Sequence, residues 1–386
     1  MSFLVANAQK NITNSVKSTR SYYSAEAGIE DALLRLKRNP SMPALTYYLN
    51  VDGVSVNVNI PSTIGVSKNI TSEADNKGIM KKIRTVCSID NTTTTSFYYG
   101  VQVGEGGLVM NNGSRVKGNV FSSGNISGSG IIDNNAIVSG NGKSISGVTV
   151  QGNAMAYSCL SGATIDGSLT YVTGGVHTCT HGVLAEQSEE ILAQPPPIPD
   201  SQVDGWKSEA TTACASADVT KLTQNNKTVS MGPCKITGNI TFGNGLNLTL
   251  TGTLYITGNL TLGNTNSIKL NSSYGTLGGV VISDGNIQMG RGNIFAGSGQ
   301  AGSYVLVVST STSDSAIVVG NNSVGAVFYT TAGGITISNN VSVVEATGYK
   351  VIMENNSTIE YSSGIVNIYF ASGPGGGWKV SSWQDF

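Results

Sequence analysis

The alternation of apolar and polar positions divides this chain into a helical start, a short block of strands and a long repetitive remainder. From about Ala6 to Arg38, the residues Ile12, Val16, Tyr23, Ala27, Ile29, Leu33 and Leu36 recur mostly at three-, four- and seven-residue steps. That spacing predicts one amphipathic helix, ended by Asn39-Pro40. At 1.5 Å per residue it would be roughly 50 Å long, more than one small core needs. Its C-terminal half is expected to pack on a sheet, and its more polar N-terminal half to project. Residues 41–103 then change to period two. Segments 46–51, 54–60, 78–89 and 97–103 read as antiparallel strands, with a turn at Asp52-Gly53 and with Val54, Val56, Val58 and Ile60 on one face.

The remainder repeats itself. Ile236-Thr237-Gly238-Asn239-Ile240-Thr241-Phe242-Gly243-Asn244 returns twenty residues later as Ile256-Thr257-Gly258-Asn259-Leu260-Thr261-Leu262-Gly263-Asn264, with only apolar residues exchanged. Asn pairs follow at Asn321-Asn322, Asn339-Asn340 and Asn355-Asn356. A period of about 16–20 residues is too short for a strand plus a helix, and it fits one coil of a parallel β-helix. Alternate Ile, Leu and Val would fill the axis of the coils, and Gly and Asn would turn the corners. The expected fold is therefore mainly β: a long N-terminal α-helix on a small antiparallel sheet over residues 1–103, then a parallel β-helix over 104–386. The repeat lapses at about 174–228, which reads as an insertion. It contains a helical run at 183–193, the stiff Gln194-Pro195-Pro196-Pro197-Ile198-Pro199 and a second helix carrying Val203, Trp206, Ala210 and Ala213 on one face.

Composition narrows the class. Only 12% of the residues are charged and the net charge is −1, so there is no basic face for nucleic acid. The 49 glycines would suggest disorder if aperiodic, but they punctuate a regular pattern. No apolar run is long enough to span a membrane, and the first residues lack the form of a signal peptide. Five cysteines without a CxxC pair suit a secreted setting with two disulfides. Sequence alone leaves the pairing open. The expectation is Cys159 with Cys179 and Cys214 with Cys234, each closing a loop of about twenty residues, with Cys87 buried and unpaired.

Tyr22-Tyr23-Ser24-Ala25-Glu26-Ala27-Gly28-Ile29-Glu30-Asp31-Ala32-Leu33-Leu34-Arg35-Leu36 resembles a segment of type IV pilin-like and minor-pilin-like proteins, where it follows an apolar N-terminal helix. The span 104–386, with its ending Trp378 to Trp383, is similar to pilin-like surface proteins of ultra-small, reduced-genome bacteria. The resemblance implies a helix that continues upstream of Met1 into a membrane anchor after a prepilin peptidase site, and other pilin-like subunits as partners. It also implies an extracellular, cell-surface location. Tyr22, Tyr23, Glu26, Ile29, Leu33 and Leu36 would form the filament side of the helix. Glu26 does not inherit the acidic role that pilins place near their mature N-terminus.

Candidate chemistry is sparse. Alternation puts the only two histidines and a cysteine, His177, Cys179 and His181, on one face, ligand types that zinc accepts. A strand, however, holds positions i and i+4 about 13 Å apart, too far for one ion unless the chain turns. The reading is a surface loop tied by a Cys159–Cys179 bridge, with no metal and no cofactor. Parallel β-helices often act on polysaccharides, yet Asp133, Asp166, Asp284 and Asp314 are scattered, and only Asp284 and Arg291 fall near each other. The expected function is a filament or surface-adhesion subunit, not an enzyme, whose β-helix is a rigid stalk or adhesive head facing glycans or a host cell. The alternatives are a polysaccharide-active enzyme and a bactofilin-like self-polymerising scaffold. Trp378, Trp383 and Phe386 are expected to cap the C-terminal coil and block such polymerisation.

Overall fold

The computed structural model describes residues 2–38, 44–61, 67–89, 97–361 and 378–385. The chain folds as two compact units, Met1–Thr93 with Gly376–Phe386, and Thr94–Gly375.

In the first unit, helix α1 (Ser2–Arg38) lies on an antiparallel sheet of β1 (Leu45–Val51), β2 (Val54–Ile60), β3 (Ser67–Asn76) and β4 (Ile79–Ile89). The buried face of the helix is Ser21, Ala25, Ile29, Ala32 and Leu36, packed on Val54, Val56, Val58, Ile70, Ala74 and Ile83. Gly28 sets the closeness of this packing. A Cβ there would stand 2.3 Å from the Ser72 hydroxyl oxygen and 2.9 Å from a Val56 methyl. Strand β3 escapes the sequence pattern because only Ile70 and Ala74 are apolar and buried along it; its place is fixed by pairing with β2 on one side and β4 on the other.

Two expectations fail here, for one reason. The sheet's fifth strand is the C-terminal segment Trp378–Asp385, antiparallel to β4 with Val380 opposite Cys87 and Trp383 opposite Thr85. Residues 97–103 do not join this sheet. Their strand is β5 (Val101–Met110), which belongs to the coils. The outer edge of β4 carries unpaired backbone groups that need a partner, and the tail supplies it. Trp378 and Trp383 are therefore strand residues of the small sheet and not the expected cap of the last coil, and Phe386 lies outside the described residues.

The second unit is a parallel β-helix with an unexpected order of coils. From β5 the chain climbs through Val120–Ser122, Ala136–Val138, Ala154–Ala156, Leu169–Val172 and Leu184–Gln187, each parallel to the one before. It restarts at Cys234–Ile236 and climbs through Leu254–Ile256, Gly279–Ser283, Val305–Ser309 and Val327–Thr330 to Glu345–Met353. That last strand lies against β5, Ala346 facing Val101 and Val351 facing Leu108. The two arrays thus form one stack, whose middle is the junction of β5 with Glu345–Met353. Coil length runs from fourteen residues, between Ser144 and its partner Ser158, to thirty, between Ile287 and Ile317.

Inward Ile, Leu, Val and Met make one continuous core along the axis. Asn side chains stitch the corners: the Asn321 carbonyl oxygen accepts from the Asn339 backbone N–H at 3.1 Å, and Asn239 does the same for Asn259 at 2.7 Å. Asn322, Asn340 and Asn356 take positive φ of 58°, 56° and 56°, a conformation that Asn tolerates better than most residues.

Candidate functional site

The first distinctive surface of the β-helix is the segment that links its two arrays. The coil pattern runs on through Gln187, so the expected helix at 183–193 is absent: Leu184–Gln187 stacks on Leu169–Val172 as a further coil. Only after it does the chain leave the stack. It must then travel from one end to the other, past eleven coil steps of about 4.8 Å, or roughly 50 Å. Residues 188–199 stretched like polyproline cover roughly 37 Å, and the helix α2 (Asp200–Glu209) roughly 15 Å. The Pro run therefore gives the strap its reach.

Contacts follow that path in order. The Gly140 N–H donates to the Ile191 carbonyl (2.9 Å), the Tyr99 hydroxyl to Gln194 Oε1 (3.1 Å) and Gln102 Nε2 to the Pro195 carbonyl (2.8 Å). Farther along, the Tyr329 hydroxyl donates to the Ile198 carbonyl at 2.6 Å. Finally Lys235 N–H reaches the Thr212 carbonyl at 2.7 Å. Beneath the strap lies a second apolar core, in which Ile198, Val203 and Trp206 cover the outward Val280, Ile282, Leu306, Val308, Val327 and Tyr329. Trp206 is fully buried.

Asp284 is part of this fastening. Its carboxylate meets Lys207 Nζ of the strap at 2.7 Å and accepts from the Tyr255 hydroxyl at 2.6 Å and from Thr310 at 3.2 Å. Burial works against the charged form, but these donors and the Lys207 charge hold the carboxyl below its usual range. Burial and the same carboxylate push the Tyr255 phenol up to about 12. Asp284 thus pairs with Lys207, while Arg291 is exposed on its turn.

The two ends of the stack differ. At one, helix α3 (Ser216–Leu222) lays buried Leu222 and half-buried Val219 on the axial core, and the Cys214–Cys234 disulfide ties the strap's exit to the first strand of the second array. At the other, Leu184–Gln187 and Thr180–His181 have partners on one side only among the described residues. There Val183 is 71% exposed and Val176 49%. The second disulfide, Cys159–Cys179, closes this last coil, so Cys179 is not a metal ligand. Among the described residues there is no group of three or more His, Cys, Asp or Glu able to hold a metal. Cys87 is buried in β4 with a free thiol, which burial pushes up to about 11.

Helix α1 presents the remaining surface. The expected filament-side residues fall on different faces: Ile29 and Leu36 are buried against the helix's own sheet, Tyr22 and Leu33 pack at its margin, Glu26 is half-buried and Tyr23 is exposed. A stripe that the sequence reading did not separate from the buried face does face solvent. It consists of Val5, Ile12, Val16, Tyr23 and Leu34, at 62, 66, 55, 62 and 48% exposure. At about 100° per residue these five fall within roughly 40° of one another and nearly opposite the buried face. The periodicity alone merged the two faces, because seven-residue steps connect residues on either. No described helix is long and apolar enough to cross a membrane.

The architecture defines a class: a parallel β-helix joined in sequence to a unit in which a long helix lies on an antiparallel sheet. Among solved structures, the competence-associated pilin ComZ from Thermus thermophilus is similar at 12% identity and a TM-score of 0.33, over 96% of this chain and 97% of that one. No protein-family model and no curated protein matches the sequence.

Proposed function

We propose that this chain is a structural subunit of a type IV pilus-like filament at the cell surface, in which α1 packs with the helices of other pilin-like subunits and the β-helix is the rigid stalk or adhesive head. The observation that carries this reading is the apolar stripe Val5, Ile12, Val16, Tyr23 and Leu34 on the face of α1 turned away from its own sheet. Exposed apolar side chains in line along a 37-residue helix are costly in water and are covered when helices associate. The pilin-like Tyr22 to Leu36 sequence supports the same reading, and two disulfides suit an oxidising exterior. A membrane anchor upstream of Met1 belongs to the proposal, as do outward Thr, Ser and Asn rows that meet glycans by hydrogen bonding without supplying a general acid.

The test joins the chain to an upstream pilin anchor helix in a pilus-assembling cell and compares it with an Ile12→Lys/Val16→Lys double variant. Surface filaments that contain the parent and exclude the variant, both folded and disulfide-bonded, are the expected result. Equal incorporation of the variant would sink the helix-packing reading.

A further inference from the structure

The only two histidines of the chain meet at the uncovered end of the β-helix. Cys159 pairs with His177 and Thr164 with Thr180. The last coil therefore takes three steps, from 177 to 180, where the coil below takes five, from 159 to 164. This short corner, with Cys179 drawn inward by its disulfide, brings the imidazoles of His177 and His181 to 6.1 Å between ring centres, about half the separation that a straight strand imposes. An ion bound at 2.0–2.1 Å from a ring nitrogen lies roughly 3.2 Å from the ring centre. That separation is short enough for one ion to reach both rings once a nitrogen of each turns toward it.

Their surroundings favour that use. His181 Nδ1 stands 3.1 Å from the Gly182 carbonyl; the tautomer that donates there leaves the Nε2 lone pair for a metal, the orienting contact typical of metal-binding imidazoles. The His177 ring rests on Tyr171 at 4.5 Å between centres, and the Tyr171 hydroxyl is engaged by Glu186. Two imidazoles are half of a tetrahedral set, and the chain has no third ligand at this place among the described residues. The same end has unpaired strand edges and exposed Val176, Val183 and Leu184, whereas α3 covers the opposite end.

We infer that His177 and His181 bind a late first-row divalent cation, such as Zn²⁺ or Ni²⁺, between the uncovered ends of two copies of this chain related by a two-fold axis, each copy giving two imidazoles. An isologous contact of this kind doubles the ligands without any further residue type. Glu186 and Glu189 at this end are like charges that keep bare ends apart and attract the cation, which makes the contact dependent on the ion. The inference does not rest on the filament reading.

The experiment titrates the disulfide-intact chain with ZnCl₂ and with NiCl₂, following mass by sedimentation velocity and stoichiometry by calorimetry. The expected result is one ion per two chains and a monomer-to-dimer shift that EDTA reverses. His177→Ala and His181→Ala should each weaken binding at least tenfold. Leu184→Glu, which adds charge at the abutting strand without touching the ligands, should lower dimerisation at least tenfold. Failure to bind the ion, binding of one ion per chain with no change in mass, or a dimer that persists in the double histidine variant would each overturn the proposal.

Discussion

Replacing Trp206 by alanine tests whether the strap is an independently held element. Trp206 is fully buried between α2 and the outward side chains Val280, Ile282, Leu306 and Val308. Burying about 200 Å² of aromatic surface at 25 cal/mol per Å² is worth about 5 kcal/mol, in line with the 3–5 kcal/mol measured for such truncations. The coils keep their own axial core, so most of this loss should fall on strap docking and little on the stack. At 1.4 kcal/mol per decade, a loss of about 4 kcal/mol raises the open population by nearly three orders of magnitude. Hydrogen exchange of the α2 amides should accelerate accordingly, and glutamyl endopeptidase should cleave after Glu209. Amides of Leu254–Ile256 and Val305–Ser309 should stay protected. With the strap lifted and its burial lost, the Tyr255 phenol, held up to about 12 first by that burial, should titrate closer to its ordinary value. Exchange that is unchanged in α2, or that accelerates equally in strap and coils, would refute the reasoning: the first would mean that Trp206 does not hold the strap, the second that strap and stack open as one unit.

Two further predictions address the small sheet and the coil junction. Gly28→Ala should destabilise the first unit by about 1–3 kcal/mol, the usual cost of overpacking, because its Cβ would stand 2.3 Å from the Ser72 oxygen; a lower chemical-denaturation midpoint of that unit's transition checks it, and an unchanged midpoint would show that helix and sheet can separate freely. Glu345 is fully buried; Thr347 donates to one carboxyl oxygen, and the other has no hydrogen-bond partner among the described residues. Burial raises its carboxyl well above the ordinary 4.5, so the folded form keeps a proton that the unfolded chain loses, and stability from this group is full below about pH 4.5 and declines as pH rises. Glu345→Gln should flatten that decline and raise the melting temperature at pH 7; a variant with the parent's pH dependence would contradict the assignment.

Much of the fold is written in short-range pattern. Steps of three, four and seven residues place α1, period-two alternation places β1, β2 and β4, and the Ile-Thr-Gly-Asn repeat specifies coils with Asn at their corners, because each follows from side-chain direction over a few residues. Strand β3 is polar enough to lack that signal, and its neighbours, not its composition, make it a strand. The order of the coils is not local at all. Val101 meets Ala346, 245 residues away, and nothing in the alternation marks that edge as different from the others, since every coil offers similar backbone groups to a neighbour. The same holds for the tail, whose tryptophans suggest a cap but whose backbone completes the edge of β4. Residue chemistry was legible, but its meeting points were not: Asp284 finds Lys207 and not Arg291 because a strap of the right length crosses there. His177 and His181 converge because one corner is two residues short. Sequence determines which elements form, through propensity and periodicity, while tertiary structure decides which edges and faces meet, since that choice depends on closing long loops and satisfying backbone edges across the whole chain.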